Sequence, residues 1–97
     1  MKRIVLVSGS SNSILSNQIS DYLDVPLVNP QLVRFANREI FCEIEKHVRG
    51  ADVFVMQSTC APVNDHLMEL LIMIDALKRA SATSITAVIP FYGYARQ

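Results

Sequence analysis

Short runs of consecutive apolar residues alternate with longer segments in which apolar positions recur at regular spacing. Residues 4–7, 53–56 and 85–89 are continuous, largely β-branched runs, the pattern of strands that are buried on both faces. Residues 32–45 alternate between apolar and polar positions on either side of a polar, turn-like segment at 36–39. This alternation predicts two antiparallel strands joined by a short loop.

The first segment with helical spacing follows the first strand. Its apolar face is formed by Leu15, Ile19, Tyr22 and Leu23. We expect Ser11 or Asn12 to cap the beginning of this helix and Asp24 to end it.

The strongest helical pattern begins at a cap predicted at Asn64 or Asp65 and runs to about residue 82. Its predicted core stripe consists of Leu67, Leu70, Leu71, Ile74 and Leu77. Other apolar residues extend around most of the circumference, namely Met68, Ile72, Met73 and Ala76. A helix that is apolar nearly all round is buried on more than one side, so we expect a partner on its second side.

The order strand, helix, hairpin, strand, helix, strand predicts an α/β fold on a mostly parallel sheet. The 97 residues are 51% hydrophobic and 19% charged, which excludes a disordered chain. Nine basic residues balance nine acidic ones, and no basic stripe favours binding to nucleic acid or a membrane. The sequence has no signal-peptide pattern, and Cys42 and Cys60 lack metal-site or CxxC spacing, so we expect a cytoplasmic protein.

The turn at residues 8–12, Ser-Gly-Ser-Ser-Asn, lies between the first predicted strand and the first predicted helix. Backbone N–H groups at the amino terminus of a helix can bind phosphate. However, this turn has one glycine and matches neither the P-loop nor the dinucleotide-binding fingerprint. We therefore interpret it as a capped, structural turn.

Two groups of residues have the chemistry of a nucleotide site. At the hairpin tip, Phe35, Asn37 and Glu39 offer a ring that stacks on a purine and polar groups that hydrogen-bond its edge or its ribose. Arg96, with Gln97, follows the carboxyl end of a strand, where open α/β sheets bind ligands and a guanidinium can clamp a phosphate. From composition alone, a solvated hairpin tip and an ordinary surface arginine are the simpler interpretations.

Acidic residues and histidines form no recognisable catalytic set. Asp65 and Glu69 lie four residues apart on one helix face, which suits a solvated edge as well as a functional pair. The sequence assembles no Ser-His-Asp, Cys-His or metal-ligand constellation. We predict neither a catalytic residue nor a metal ligand in this chain.

The amino-acid sequences of four segments resemble those of the ribose-phosphate pyrophosphokinases, also called phosphoribosyl pyrophosphate synthetases. The resemblance covers essentially the whole chain, and the pairing of Asn-Asp-x-Leu-Met-Glu-Leu-Leu with a following Tyr-Ala-Arg-Gln is highly specific. The segments are Arg-Phe-Ala-Asn-Arg-Glu at 34–39, Val-Arg-Gly at 48–50, the block at 57–71, and Ala-Val-Ile-Pro at 87–90 with Tyr-Ala-Arg-Gln at 94–97.

This resemblance implies an enzyme that transfers the β,γ-pyrophosphoryl group of Mg-ATP to ribose 5-phosphate for nucleotide biosynthesis. It implies a phosphoribosyltransferase-like three-layer fold with a mostly parallel sheet and a β-hairpin, in which residues 1–97 form an incomplete amino-terminal domain. It also implies homo-oligomers, from dimers to hexamers, with an ATP site shared between subunits. Phe35, Asn37 and Glu39 of one subunit and Arg96 and Gln97 of its neighbour match the ATP-contacting positions.

The resemblance carries two further expectations. Arg49 and Ser81 match an allosteric anion site of many family members. His47 occupies a position of that region where serine or asparagine is more usual, which weakens the match to this site. The family's Mg²⁺ ligands and ribose 5-phosphate site match sequence beyond residue 97, so we expect this chain alone to be inactive.

Two other functions remain open. The chain is alternatively a non-catalytic regulatory or partner subunit of a full-length synthetase, with the long apolar helix as its docking element. A free-standing nucleotide-binding module ranks third, because self-association would have to supply both halves of the shared site.

Overall fold

The computed structural model describes residues 3–37, 39–44 and 48–95. The described strands are β1 (Ile4–Ser8), β2 (Leu27–Val28), β3 (Gln31–Arg34), β4 (Ile40–Glu43), β5 (Asp52–Met56) and β6 (Ser84–Val88). The helices are α1 (Ser13–Leu23), preceded by a short 3-10 turn at Ser10–Asn12, and α2 (Val63–Arg79). The types and the order of the elements agree with those predicted from the sequence, apart from the short strand β2, which the predicted order does not include.

Four of the strands form a parallel sheet in the order β2-β1-β5-β6. The chain moves from β1 to β2 in one direction and from β5 to β6 in the other, so right-handed crossovers place α1 and α2 on opposite faces. The point at which the direction reverses lies between β1 and β5, and ligands of open α/β sheets bind at the carboxyl end of such a point. β3 and β4 form a separate antiparallel hairpin, which confirms the prediction from alternation.

The core lies between the sheet and α2. Val5 and Val7 of β1 pair in register with Val53 and Val55 of β5, and all four side chains are buried. From α2 the buried apolar side chains are Leu70, Met73 and Leu77, which share one face at spacings of three and four residues.

The predicted core stripe of α2 is therefore wrong at one residue and incomplete at another. Leu71 is 51% exposed, and Met73, which we placed on the second side, is fully buried. Because α2 is apolar around most of its circumference, the sequence pattern does not distinguish the face that meets the sheet. Leu71 lies about 100° around the helix from Leu70, far enough to leave that face.

Both helix caps differ from their predictions. Asn12 occupies the position before α1, but its Oδ1 accepts from Ser58 N (2.5 Å) and makes no capping bond. Helix α2 begins at Val63, directly after Pro62, so Asn64 and Asp65 lie inside its first turn. Asp24 ends α1, as predicted, and it does so in a left-handed conformation.

The carboxyl end of α2 also differs by a few residues. The helix ends at Arg79, short of the predicted position near residue 82, and Ser81 follows with a positive φ of 66°. Among the described residues, no helix has the length and apolar character needed to cross a membrane.

Candidate functional site

The turn after β1 is tied to α2 by a buried carboxylate. Glu69 is 3% exposed. Its Oε2 accepts from Ser10 N (2.8 Å), from the Ser10 hydroxyl (2.8 Å) and from Gln57 Nε2 (2.6 Å). A carboxylate that accepts three bonds is well satisfied, so Glu69 joins β1, β5 and α2 at one point of the carboxyl edge.

Gln57 continues this network towards the start of α1. It is fully buried, and its Oε1 accepts from Ser11 N (3.1 Å) and from the Ser11 hydroxyl (2.6 Å). A Cβ on Gly9 would overlap Gln57 Oε1 and would lie 2.8 Å from Met73 Cε, so a larger residue in this turn would have to displace these two buried side chains. The turn amides thus have acceptors inside the protein, in agreement with the structural role predicted for residues 8–12.

The interpretation of Glu69 as part of a solvated edge is wrong, and Gln57 was missed altogether. A signal for Glu69 was present, because it lies four residues before Met73 and so on the same side of α2 as the buried stripe. A charged residue at such a position needs buried partners. The partners themselves are distant in sequence, and no spacing rule identifies them.

Cys42 of β4 lies near this network and is partly buried. Burial raises the pKa of its thiol, and the negative charge of Glu69 raises that pKa further. The Cys42 thiol is therefore a poor nucleophile at neutral pH, consistent with its place in an apolar strand.

The loop after β5 holds the segment that follows β6. Thr59 is fully buried; its N–H donates to Phe91 O (2.8 Å), and its hydroxyl accepts from Gly93 N (2.7 Å). Phe91 N donates in turn to the Ser58 hydroxyl (3.2 Å). These bonds extend the pairing of β5 with β6 beyond the ends of both strands and fix the path of the chain as far as residue 93.

The hairpin tip has a closed shape. Phe35 N donates to Glu39 O (2.8 Å), and Glu39 N donates to Asn37 Oδ1 (3.1 Å). The Phe35 side chain is 50% exposed, and Asn37 and Glu39 are exposed beside it. The structure therefore brings these three predicted site residues together at one tip, as the sequence suggested.

A groove runs between this tip and α2. It has a volume of about 390 Å³ and is lined by Asn37, Glu39, Ile40, Met68 and Ile72. The hairpin and α2 are also joined by an ion pair between Arg34 of β3 and Asp65 in the first turn of α2, at 3.5 Å. The groove thus combines amide and carboxylate groups with an apolar wall in one concave surface, and the half-exposed Phe35 ring belongs to the same hairpin tip without lining the groove.

The remaining predicted site residues fall into two sets. Arg96 and Gln97 lie outside the described residues, as does His47. Arg49 and Ser81 belong to two turns in contact, because Gly50 N donates to Ser81 O (3.0 Å). The described ranges hold no group of three or more histidine, cysteine, aspartate or glutamate side chains that could bind a metal ion.

A four-stranded parallel sheet with helices on both faces and a separate hairpin defines a phosphoribosyltransferase-like α/β domain. The solved purine phosphoribosyltransferase from Pyrococcus horikoshii shares this fold, with a TM-score of 0.68 over 97% of this chain and 66% of that one. Its sequence identity is only 14%, so this likeness concerns the fold alone.

The particular family follows from closer matches. Residues 4–97 match the model of the N-terminal domain of ribose phosphate pyrophosphokinase, and the chain belongs to this family. The ribose-phosphate pyrophosphokinase of Maricaulis maris is 63% identical over 92 residues, which are 95% of this chain and 30% of that protein. The crystal structure of phosphoribosylpyrophosphate synthetase from Mycobacterium smegmatis superposes with a TM-score of 0.93 at 50% identity, covering 98% of this chain and 32% of that one.

These matches confirm the resemblance and the fold class predicted from the sequence. The relatives bear the name of a transferase, so the family is enzymatic. The chain spans about 30% of the length of the curated relatives it matches.

Proposed function

We propose that this chain acts as the amino-terminal domain, residues 1–97, of a cytoplasmic ribose-phosphate pyrophosphokinase. That enzyme transfers pyrophosphate from Mg-ATP to ribose 5-phosphate and makes phosphoribosyl pyrophosphate and AMP. The domain contributes ATP-binding and oligomer-interface residues, and the chain alone does not catalyse the reaction. Family membership supports this proposal, and the observation that carries it is the geometry of the hairpin tip.

The tip suits the nucleoside part of ATP. The Phe35–Glu39 and Glu39–Asn37 bonds close the loop before any ligand arrives, which lowers the entropy cost of binding. The half-exposed Phe35 ring offers a face for stacking on adenine. Asn37 both donates and accepts hydrogen bonds, and the Glu39 carboxylate accepts them from ribose hydroxyls.

In the proposed site, the phosphates of ATP bind at the end opposite the hairpin tip. Phosphoryl transfer depends mainly on positioning and on neutralisation of charge, and Arg96 would supply one positive charge after β6. The amides of Ser10 and Ser11 already donate to Glu69 and Gln57, which favours the β6 end over the β1 turn as the phosphate site. In this proposal the tip of one subunit faces Arg96 and Gln97 of its neighbour, so the ATP site requires a homo-oligomer.

The contact between the turns of Arg49 and Ser81 supports an allosteric anion site at that position, as the resemblance implies. An arginine side chain and a turn hydroxyl are suitable ligands for phosphate or sulfate. Addition of inorganic phosphate should protect the wild-type chain against thermal unfolding more than it protects Arg49→Ala. Equal protection of the two proteins would remove this part of the proposal.

ATP binding tests the nucleotide site directly. Phe35→Ala should weaken the affinity of the purified chain for ATP by about tenfold, because stacking of a base on an aromatic ring contributes about 1–3 kcal/mol. Phe41→Ala is the matched control, since Phe41 is 48% exposed on the neighbouring strand. Because the proposed site requires a homo-oligomer, affinities are measured at concentrations where sedimentation shows that the chain self-associates. Equal affinities of the two variants, or no affinity of the self-associated wild-type chain, would contradict the proposed site.

Release of AMP tests the claim about catalysis. The purified chain is incubated with Mg-ATP, with and without ribose 5-phosphate, beside a full-length relative in the same buffer. We expect AMP only from the relative. Sugar-dependent AMP from the chain itself would show that it completes an active site and would refute that claim.

Exposed apolar side chains on α2 favour a second candidate, a non-catalytic partner subunit of a full-length synthetase. Met68 is 52% exposed and Leu71 is 51% exposed. Such residues on a helix suit a protein interface. Co-purification with a full-length relative, altered activity of that relative and loss of both effects in Met68→Lys would support this candidate. Absence of co-purification would exclude it.

A further inference from the structure

The hairpin of β3 and β4 is attached to the core through side chains. Its two strands form a sheet of their own, separate from the four-stranded parallel sheet. On its core-facing side, Leu32 and its cross-strand partner Cys42 pack against the buried cluster, as does Ile44. Apolar packing is non-directional, so these contacts hold the hairpin on the core but only weakly specify the direction of its tip.

An ion pair joins the tip end of the hairpin to α2. Arg34 is the last residue of β3, two positions beyond Leu32 and therefore on the same, core-facing side of the hairpin. Its Nη1 lies 3.5 Å from Oδ1 of Asp65, and the two side chains are 34% and 21% exposed. Because both charges are partly shielded from water, they attract each other more strongly than a fully solvated pair does.

The same face of α2 carries the ion pair and one wall of the groove beside the tip. Asp65 lies three residues before Met68 and seven before Ile72, so these side chains follow one another along one side of the helix. The opposite wall belongs to the hairpin tip, which begins directly after Arg34. The width of the groove therefore depends on how the hairpin is held at Arg34.

We propose that Arg34 is a positioning residue: its ion pair with Asp65 holds the hairpin tip at a fixed angle to α2 and so keeps the nucleotide-binding groups of the tip in place. This inference rests on the proposed function, in which the tip binds the nucleoside part of ATP. Arg34 acts without touching the nucleotide, because a tip already held in its binding conformation loses less freedom when a ligand arrives.

Alkylation of Cys42 measures the attachment of the hairpin without any ligand. The thiol is partly buried on the core-facing side, so iodoacetamide reaches it faster when the hairpin lifts from the core. Arg34→Met keeps an unbranched, apolar stem and removes the charge. It should speed the alkylation at fixed pH about two- to fivefold, the range expected for loss of a partly exposed ion pair. Loss of a nearby cation would by itself raise the pKa of the thiol and slow the reaction, so acceleration reports movement of the hairpin.

Three controls accompany this measurement. Arg34→Lys retains the charge and should restore the wild-type rate, whereas Lys78→Met removes a positive charge from an exposed position on α2 and should leave the rate unchanged. Cys60, in the loop after β5, is the internal reference, because global unfolding accelerates both thiols and mass spectrometry of the digested chain separates them. An unchanged rate at Cys42 in Arg34→Met, or equal acceleration at both thiols, would overturn the inference.

A double-mutant cycle with Asp65→Asn tests the partner and the effect on ATP. In the wild-type background, Arg34→Met should weaken ATP binding by the self-associated chain about two- to fivefold, and Arg34→Lys should restore the affinity. In an Asp65→Asn background, Arg34→Met should change neither this affinity nor the Cys42 rate any further. Additive losses of affinity would mean that Arg34 contacts the nucleotide directly and would reject the positioning role.

The outcomes also distinguish this inference from the proposed function. A self-associated wild-type chain with no affinity for ATP contradicts the nucleotide site, whereas the Cys42 rates still decide whether Arg34 holds the hairpin. ATP binding that depends on Phe35 but not on Arg34 retains the proposed function and rejects the positioning role. If Arg34→Met does not fold, Asp65→Asn removes the same ion pair from the side of α2 and should give the same acceleration at Cys42.

Discussion

Replacement of the buried Glu69 tests whether its network stabilises the fold. Glu69→Leu keeps much of the side-chain volume and removes the acceptor of three donors. One of them, Gln57 Nε2, is buried, and its second hydrogen bond, to His66 O, is longer at 3.3 Å. The other two belong to Ser10, which lies nearer the surface.

The expected magnitude follows from these positions. An unsatisfied buried donor costs about 1–3 kcal/mol, and each partly exposed hydrogen bond contributes about 0.5–1.5 kcal/mol. Allowing for solvation of Ser10, Glu69→Leu should lower the free energy of unfolding by about 2–4 kcal/mol. Glu69→Gln keeps an oxygen for Gln57 and Ser10 and should cost only about 1 kcal/mol.

Urea unfolding followed by circular dichroism measures both variants. Asp75→Leu is the control on the same helix, because the exposed ion pair of Asp75 with Arg79 contributes only about 0.3–0.5 kcal/mol. Glu69→Leu as stable as this control would refute the idea that the network stabilises the fold. Glu69→Gln as unstable as Glu69→Leu would show that the negative charge, and not the set of bonds, is what matters.

Two further predictions concern the core and a thiol. Leu77 is fully buried, so Leu77→Ala should lower the free energy of unfolding by about 2–5 kcal/mol. Leu71→Ala, at a half-exposed position, should lower it by less than about 1 kcal/mol. Equal losses in urea unfolding would mean that both leucines lie on the same face of α2 and would contradict this prediction. Because the pKa of Cys42 is raised, its alkylation by iodoacetamide should need a higher pH in the folded chain than in urea, and Glu69→Gln should move this profile partly back. The unfolded thiol ionises first, so the stability contributed by neutral Cys42 is complete below the unfolded pKa and is lost as the pH rises through the folded one; identical alkylation profiles would contradict this reasoning.

The positions of the strands were predictable from their local pattern, since β1, β5 and β6 overlap the apolar runs at 4–7, 53–56 and 85–89. Burial agrees with the pattern in β1 and β5. The prediction that 85–89 is buried on both faces is wrong, because β6 lies at the edge of the described sheet and none of its residues is buried. The hairpin was predictable for a similar reason, since half-buried strands alternate between apolar and polar residues.

By contrast, the sequence did not predict which face of α2 packs against the sheet. Apolar residues surround the helix, so periodicity indicates a helix without indicating which side meets the sheet. Met73 rather than Leu71 completes the buried face, because the direction of α2 is set by its connections to β5 and β6. The start of the helix was displaced for a local reason: Pro62 occupies the position before the first turn, and the Asn64 side chain pairs with Tyr94.

The candidate site likewise contains some contacts that the sequence predicts and others that it does not. Phe35, Asn37 and Glu39 lie within five residues on one hairpin, so the sequence alone places them together. Thr59 and Gly93 are 34 residues apart, and Ser10 and Glu69 are 59 apart. Contacts of such separation depend on strand order, which hydrophobic periodicity does not encode.

The carboxyl edge of the sheet also bears on where an anion can bind. Two positions there have the right geometry in principle, namely the amino terminus of the helical segment after β1 and the loop after β6. At the first position Glu69 already supplies a carboxylate to Ser10, and a second anion beside it would be repelled and would have to displace hydrogen bonds. At the second position the buried Thr59 hydroxyl accepts from the backbone of Gly93, three residues before Arg96 in the sequence. The Glu69 network therefore stabilises the turn after β1 and argues against phosphate binding there, which within the proposed function favours the loop after β6 as the phosphate site.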